Sequence, residues 1–129
     1  AFAGGGLNTG LRDLARFGEM MRLDGRWGDE QIVPKAAVDD IRRGADQGHF
    51  AKAGIPTLPG WSYRNMWWVS HNAHGAFSAR GVHGQAIYVD PAAEMVIARY
   101  GSYPHAANVY IDPTSLPAYH ALALHLMSS

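Results

Sequence analysis

The sequence has no cysteine in its 129 residues, which excludes disulfide bridges and a cysteine nucleophile but leaves the redox compartment open. It also has no excess of charge: eleven basic residues balance eleven acidic ones. No nucleic-acid partner and no anionic membrane surface is therefore expected. No apolar run approaches the length that spans a bilayer, and the opening AFAGGGLNTG lacks the charged and apolar regions of a signal peptide. There is no repeat, no low-complexity tract and no inter-domain linker. That opening, without Met, reads as the interior of a longer polypeptide.

What is present is a chain that can bury a core. Hydrophobic residues make up 47%, a share that fits one folded domain and argues against disorder. Leu11, Leu14, Ala15, Phe17 and Met21 recur at helical spacing, with Thr9 or Gly10 as N-cap and Asp13 in the first turn. Pro34 opens a second helix, PKAAVDDIRRG, which Gly44 closes. Residues 45–60 read as a long loop. From Trp61 onward the pattern becomes aromatic and β-branched. YRNMWWVSH, GAFSARG, GQAIYVD and AEMVIARYGS read as antiparallel strands, the last two joined through DPAAE as a hairpin. DPTSLPAYHALALHLMSS reads as a final helix, capped by Asp112 or Thr114, with Leu116, Tyr119, Ala123, Leu126 and Met127 as its apolar residues. The expected fold class is α+β, an antiparallel sheet with helices packed on one side.

Few residues carry obvious chemistry. His71 and His74 form H-x-x-H without a cysteine or a nearby carboxylate, short of the three or four ligands that zinc needs, so no metal site is assigned. His120 and His125 are five apart, which does not align them on one helix face. Trp61, Tyr63, Trp67 and Trp68 form the densest aromatic cluster. Because Trp67 and Trp68 are consecutive in a strand, one faces core and the other is free to line a pocket. Tyr63-Arg64-Asn65 spells the Y-x-N of one class of serine hydrolases. The Ser-x-x-Lys that carries that class's nucleophile is missing, since Ile32 and His49 stand three residues before Lys35 and Lys52. In GVHGQAIYVDP, glycines at 81 and 84 precede a strand, either as a bulge or where something approaches the backbone closely.

Three blocks in order, FAGGGLNTGLRDLARFGEMM, GWSYRNMWW and GVHGQAIYVDPAAEMVIARY, closely resemble the C-terminal part of the β-lactamase-related serine hydrolases. The branch is the one containing 6-aminohexanoate-dimer hydrolase, with family VIII carboxylesterases and class C β-lactamases as wider relatives. The resemblance implies a β-lactamase/transpeptidase-like fold. It also implies a small amide or ester substrate, cleaved through an acyl-serine intermediate without metal or cofactor. The serine, lysine and tyrosine of that chemistry would come from a missing N-terminal portion of the same protein. By the same resemblance the backbone N–H of Val82 is one arm of an oxyanion hole, and Gly81 lets the acyl group approach. Tyr63, Trp67, Trp68, His83 and Gln85 would line the substrate side. WSYRN then matches a substrate-side aromatic segment, not the family's Y-x-N. Gly4 stands where relatives active on the amide dimer carry a polar side chain, a departure that speaks against hydrolysis of that dimer and leaves ester hydrolysis open. The absence of Lys-Thr-Gly disfavours β-lactamase activity. Two readings of another class stay open: a non-catalytic fragment that associates through its exposed surface, and a binding module that grips sugar or peptide on its aromatic sheet.

Overall fold

The computed structural model describes residues 6–129, so Gly4 and the rest of AFAGG lie outside the described residues. The first helix, α1 (Leu11–Arg22), starts at Gly10 and carries Asp13 in its first turn and Arg22 in its last, both signs matching the helix dipole. It buries Leu14, Gly18, Met20 and Met21, whereas Leu11 and Phe17, expected on the same face, remain exposed. A short hairpin of β1 (Arg26–Trp27) and β2 (Glu30–Gln31) leads into α2 (Lys35–Arg43). Pro34 sits as its N-cap and Gly44, at φ 69°, ends it.

The stretch 45–60 is not all loop. Asp46 accepts the His49 N–H at 2.6 Å and caps a short helix, α3 (Gln47–Ala51). The segment read as one aromatic strand is a hairpin, β3 (Ser62–Arg64) and β4 (Trp67–Val69). Asn65 and Met66 both have positive φ, as a two-residue primed turn requires. The sequence hides that turn because methionine fills a position where glycine is usual.

Three more strands complete a five-stranded antiparallel meander in sequence order: β5 (Phe77–Arg80), β6 (Ala86–Asp90) and β7 (Met95–Arg99). In the β6–β7 turn the buried Asp90 accepts the Ala93 N–H at 3.0 Å through one oxygen and meets His74 Nδ1 at 2.8 Å through the other. Among the described residues the outer edge of β7 has no partner strand.

Period-two alternation sorts the sheet into two faces. Trp67, Val69, Phe77, Ile87 and Val89 meet Leu14, Met20 and Met21 of α1 and Val38 and Ile41 of α2. Tyr88 and Met95 meet Tyr119 and Ala123 of the last helix, α4 (Asp112–Met127). Helices therefore cover both faces, which corrects the one-sided arrangement. The sheet's second face is apolar at Tyr88 and Met95 and needs its own cover. In α4 no side chain caps the N-terminus, and Leu126 and Met127, expected in its apolar stripe, are exposed.

Helix and sheet approach closely at Gly18, where an added Cβ would lie 2.5 Å from Val96 Cγ1 and 2.8 Å from Ile87 Cγ2. Gly18→Ala gains about 1 kcal/mol of helix propensity but incurs about 1–3 kcal/mol of overpacking. A net loss of stability is expected, read as a lower urea midpoint at unchanged m-value.

The β3–β4 hairpin is tied to α2 electrostatically. Asp40 receives Arg64 through Nε at 2.7 Å and Nη2 at 2.8 Å, receives Asn65 Nδ2 at 2.8 Å, and also pairs with Arg43. The Arg64 hydrogen bonds, aided by Asn65, hold the Asp40 carboxyl at about 2, against partial burial that acts the other way. A depressed carboxyl pKa contributes stability that is fully present above the ordinary value of 3.8 and is lost as pH falls through about 2. Asp40→Asn removes that dependence. Between pH 5 and 2 the wild-type melting temperature should fall toward that of the variant; parallel curves would show that Asp40 does not contribute.

Candidate functional site

β5 ends at Arg80, and Gly81 carries the chain into a single 3-10 turn, Val82–Gly84, before β6 begins. Hydrogen bonds fix this corner on nearly every side. Gly81 N–H donates to Gln85 O at 2.9 Å, His83 N–H to Ala106 O at 3.1 Å, and Tyr103 N–H to His83 O at 3.1 Å. Arg99 Nε donates to Gly84 O at 2.6 Å while its Nη1 reaches Ser115 Oγ at 2.7 Å, linking the corner to α4. Between the bonded N–H groups of Gly81 and His83, the N–H of Val82 has no acceptor among the described residues, and Val82 is 62% exposed. A backbone donor held in place without an acceptor can stabilise a developing oxyanion.

The side chains around this corner divide into those that hold it and those that face outward. Gln85 is fully used in holding it: Nε2 donates to Gly101 O at 2.6 Å and Oε1 accepts Gly101 N–H at 2.9 Å. It was expected on the substrate side and is instead a backbone clamp. His83 has φ 58°, and its Nδ1 lies 2.8 Å from Tyr103 O. A carbonyl only accepts, so Nδ1 carries a proton and donates to Tyr103 O. Gly81 is extended, at φ −115°, a backbone any residue adopts. What excludes a side chain there is Gln85, whose Cβ lies 2.9 Å from where one would start. Its glycine is explained by packing within the corner.

Of the aromatic residues, Trp67 is in the core, stacked at 6.3 Å from Phe17 and edge-on at 5.2 Å to Phe77. That corrects its place among the substrate-side residues. α1 packs on the face to which Trp67 points. Trp68 takes the opposite face. Tyr63, its cross-strand partner, meets it edge-on at 4.7 Å, and the Arg80 guanidinium lies over its ring at 5.9 Å. Trp68 lines a cleft of about 340 Å³ with Ile55, Leu58, Arg80, Asn108 and Asp112. Gly81 and Val82 are not among its walls. They adjoin it through Arg80 and through Asn108, whose Nδ2 donates to Gly81 O at 2.9 Å. The cleft is mostly apolar, whereas the Val82 N–H beside it has no acceptor among the described residues.

Beneath the cleft, Arg80 and Asp112 form an ion pair with side chains only 8% and 4% exposed, and Thr57 Oγ1 donates to the second Asp112 oxygen at 2.6 Å. This trio joins β5, α4 and the loop after α3. It was not legible in the sequence, where Asp112 was read as a cap. The histidines also find separate partners. His71 Nε2 lies 2.7 Å from the buried Ser62 Oγ, and His74 is held by Asp90 with its ring 5.2 Å from that of His120. Among the described residues no group of three or more His, Asp or Glu is placed to hold a metal ion. Asn65 of the Y-x-N is bound to Asp40 and plays a structural part.

No family model matches the chain. A curated relative does: the chain is 34% identical over 104 residues to a 6-aminohexanoate-dimer hydrolase of Paenarthrobacter ureafaciens. A solved Bacillus anthracis structure provisionally named 6-aminohexanoate-dimer hydrolase superposes over 95% of the chain, with a TM-score of 0.77 and 36% identity. The chain is a homologue of these hydrolases. It covers 80% of its own length in the first match but only 26% of that relative, and 30% of the solved structure. The α+β sheet and its flanking helices are thus a segment of the hydrolase fold.

Proposed function

We propose that the chain is the C-terminal portion of a serine acyl hydrolase that cleaves a small amide or ester, and that the Val82 N–H is one arm of its oxyanion hole. The observation that carries this reading is the unbonded Val82 N–H, held rigidly at the end of β5 between two bonded neighbours. Homology to 6-aminohexanoate-dimer hydrolases supports the reaction class. In this reaction a serine oxygen supplied by the rest of the protein attacks the substrate carbonyl carbon, and the carbonyl π electrons move onto oxygen. That oxyanion accepts hydrogen bonds from Val82 N–H and from the serine's own N–H. Collapse expels the amine or alcohol, which takes up the proton that the serine hydroxyl gave to a base in the rest of the protein. Water then attacks the acyl-serine in the same way, releasing the carboxylic acid and restoring the serine. Trp68 forms part of a pocket wall, with Tyr63 packed edge-on against it, and His83 is exposed at the same corner.

The missing portion has surfaces to meet. The outer edge of β7 is unpaired among the described residues. Phe17, Trp27 and Ile32 are exposed on the α1 side, and Leu122, Leu124 and Leu126 are exposed on α4. Such a surface is covered by more of the same chain or by another copy. The second reading, a non-catalytic piece that self-associates, rests on the same exposure.

The full-length protein treated with a serine-directed fluorophosphonate, and assayed on a p-nitrophenyl ester and on the linear 6-aminohexanoate dimer, tests the proposal. One covalent adduct with loss of ester or amide turnover is expected. An unlabelled protein without turnover, whose isolated segment associates as concentration rises, would establish the second reading instead.

A further inference from the structure

We infer that Asn108 is a positioning residue for the oxyanion donor. This rests on the reading of Val82 N–H as that donor. Gly81 C=O and Val82 N–H belong to one peptide group, which is planar and trans, so its oxygen and its N–H point in opposite directions. Fixing the oxygen therefore aims the N–H. Asn108 Nδ2 donates to Gly81 O at 2.9 Å in a partly buried bond, and only the amide nitrogen of asparagine can serve a carbonyl acceptor, so the orientation of the side chain is settled by chemistry.

Asn108 has a second effect on the same peptide. A hydrogen bond to a carbonyl oxygen polarises the amide, leaving its N–H a stronger donor, and chains of such bonds reinforce one another in a low-dielectric setting. The sequence Asn108 amide, Gly81–Val82 peptide, substrate oxyanion is such a chain. Its first link is in place without substrate, so no reorganisation is needed when charge develops. The other bonds of the corner hold different peptides: Gly81 N–H belongs to the one before and His83 N–H to the one after. Asn108 is the described side chain that grips the reacting peptide itself. It stands at the start of the 3-10 turn Asn108–Tyr110 that leads into α4, so this amide joins Arg99 in coupling the C-terminal helix to the corner, and does so at the reacting peptide itself.

The test uses the full-length enzyme and a chromogenic ester. Asn108→Ala should lower kcat about tenfold, a fraction of the roughly 10²–10³-fold lost when an oxyanion donor is deleted outright. Asn108→Asp should lower it further, because a carboxylate cannot donate to Gly81 O and places negative charge beside the site. The loss should fall mainly on kcat, in a protein that still folds. In the acyl-enzyme, the infrared carbonyl stretch should move to higher wavenumber as the oxyanion donor weakens. A purely structural role would not move that band in a folded enzyme.

Val82→Pro deletes the N–H and separates the two ways of failing. With Val82→Pro as background, Asn108→Ala should slow the enzyme no further, since nothing is left to aim. If Val82→Pro slows turnover and Asn108→Ala changes neither kcat nor the stretch, or if the two losses simply multiply, the role of Asn108 is overturned and the oxyanion reading stands. If Val82→Pro leaves turnover unchanged in a folded protein, the oxyanion reading falls, and the role of Asn108 falls with it.

Discussion

Val82→Pro in the full-length protein is expected to reduce kcat by about 10²–10³-fold, which is about 2.7–4 kcal/mol of transition-state stabilisation, with the fold intact. Proline usually destabilises by removing a hydrogen-bonded N–H or by forcing φ, but this position already meets its requirements. The Val82 N–H has no acceptor among the described residues. Val82 is the first residue of a 3-10 turn, where the fixed φ of proline is tolerated. Gly81 before it is extended, at φ −115° and ψ 169°, which is the region a residue preceding proline prefers. Circular dichroism and melting temperature should match wild type while acylation of a chromogenic ester collapses. A folded variant with wild-type turnover would show that this N–H does not meet the reacting oxygen.

The second large effect is on stability. Asp112→Ala leaves Arg80 buried without its counter-charge and Thr57 Oγ1 without its acceptor. Breaking a buried pair from one side costs about 3–5 kcal/mol, because the remaining charge stays desolvated. Removing both charges with shape-matched apolar side chains, Arg80→Met with Asp112→Leu, should recover most of that loss. Urea unfolding of wild type, single and double variants separates the cases. A single variant that loses less than about 1 kcal/mol would show that Arg80 finds water or another acceptor. The same variants should weaken the cleft wall, since Arg80 also lies over the Trp68 ring.

Much of this protein was written locally. The 3.6-residue spacing of Leu14 and Met21 fixes α1, and Gly10 and Gly44 mark helix ends because each satisfies or permits terminal backbone geometry. Alternation in 77–80, 86–90 and 95–99 fixes the strands, and the turn after Asp90 fixes their antiparallel pairing. The glycine-flanked corner at 81–84 was visible as a bulge or a place of close approach to the backbone, and the resemblance is what points to its Val82 N–H. The resemblance of three short blocks to the hydrolases was also carried by the sequence alone, and the comparisons agree with it.

Other features depend on what meets across space. Alternation says that Trp67 and Trp68 face opposite ways but not which faces the core; α1 packing against Phe77 and Trp67 decides that. Sequence spacing cannot say that the sheet is covered on both faces, since α4 could pack on either side until Tyr88 and Met95 present an apolar surface to it. The Asn65–Met66 turn lacks its usual glycine, and Asp40 holds it from α2. Arg80 with Asp112 and Gly81 with Asn108 are long-range pairs, 32 and 27 residues apart, and no local periodicity encodes such a meeting. The sequence by itself determined α1, α2, the last three strands and α4, and marked 81–84 as a bulge or a close approach to the backbone. The tertiary structure decided what aims the Val82 N–H and what lies beneath the cleft, because electrostatic and hydrogen-bond partners are chosen by proximity after the sheet has closed.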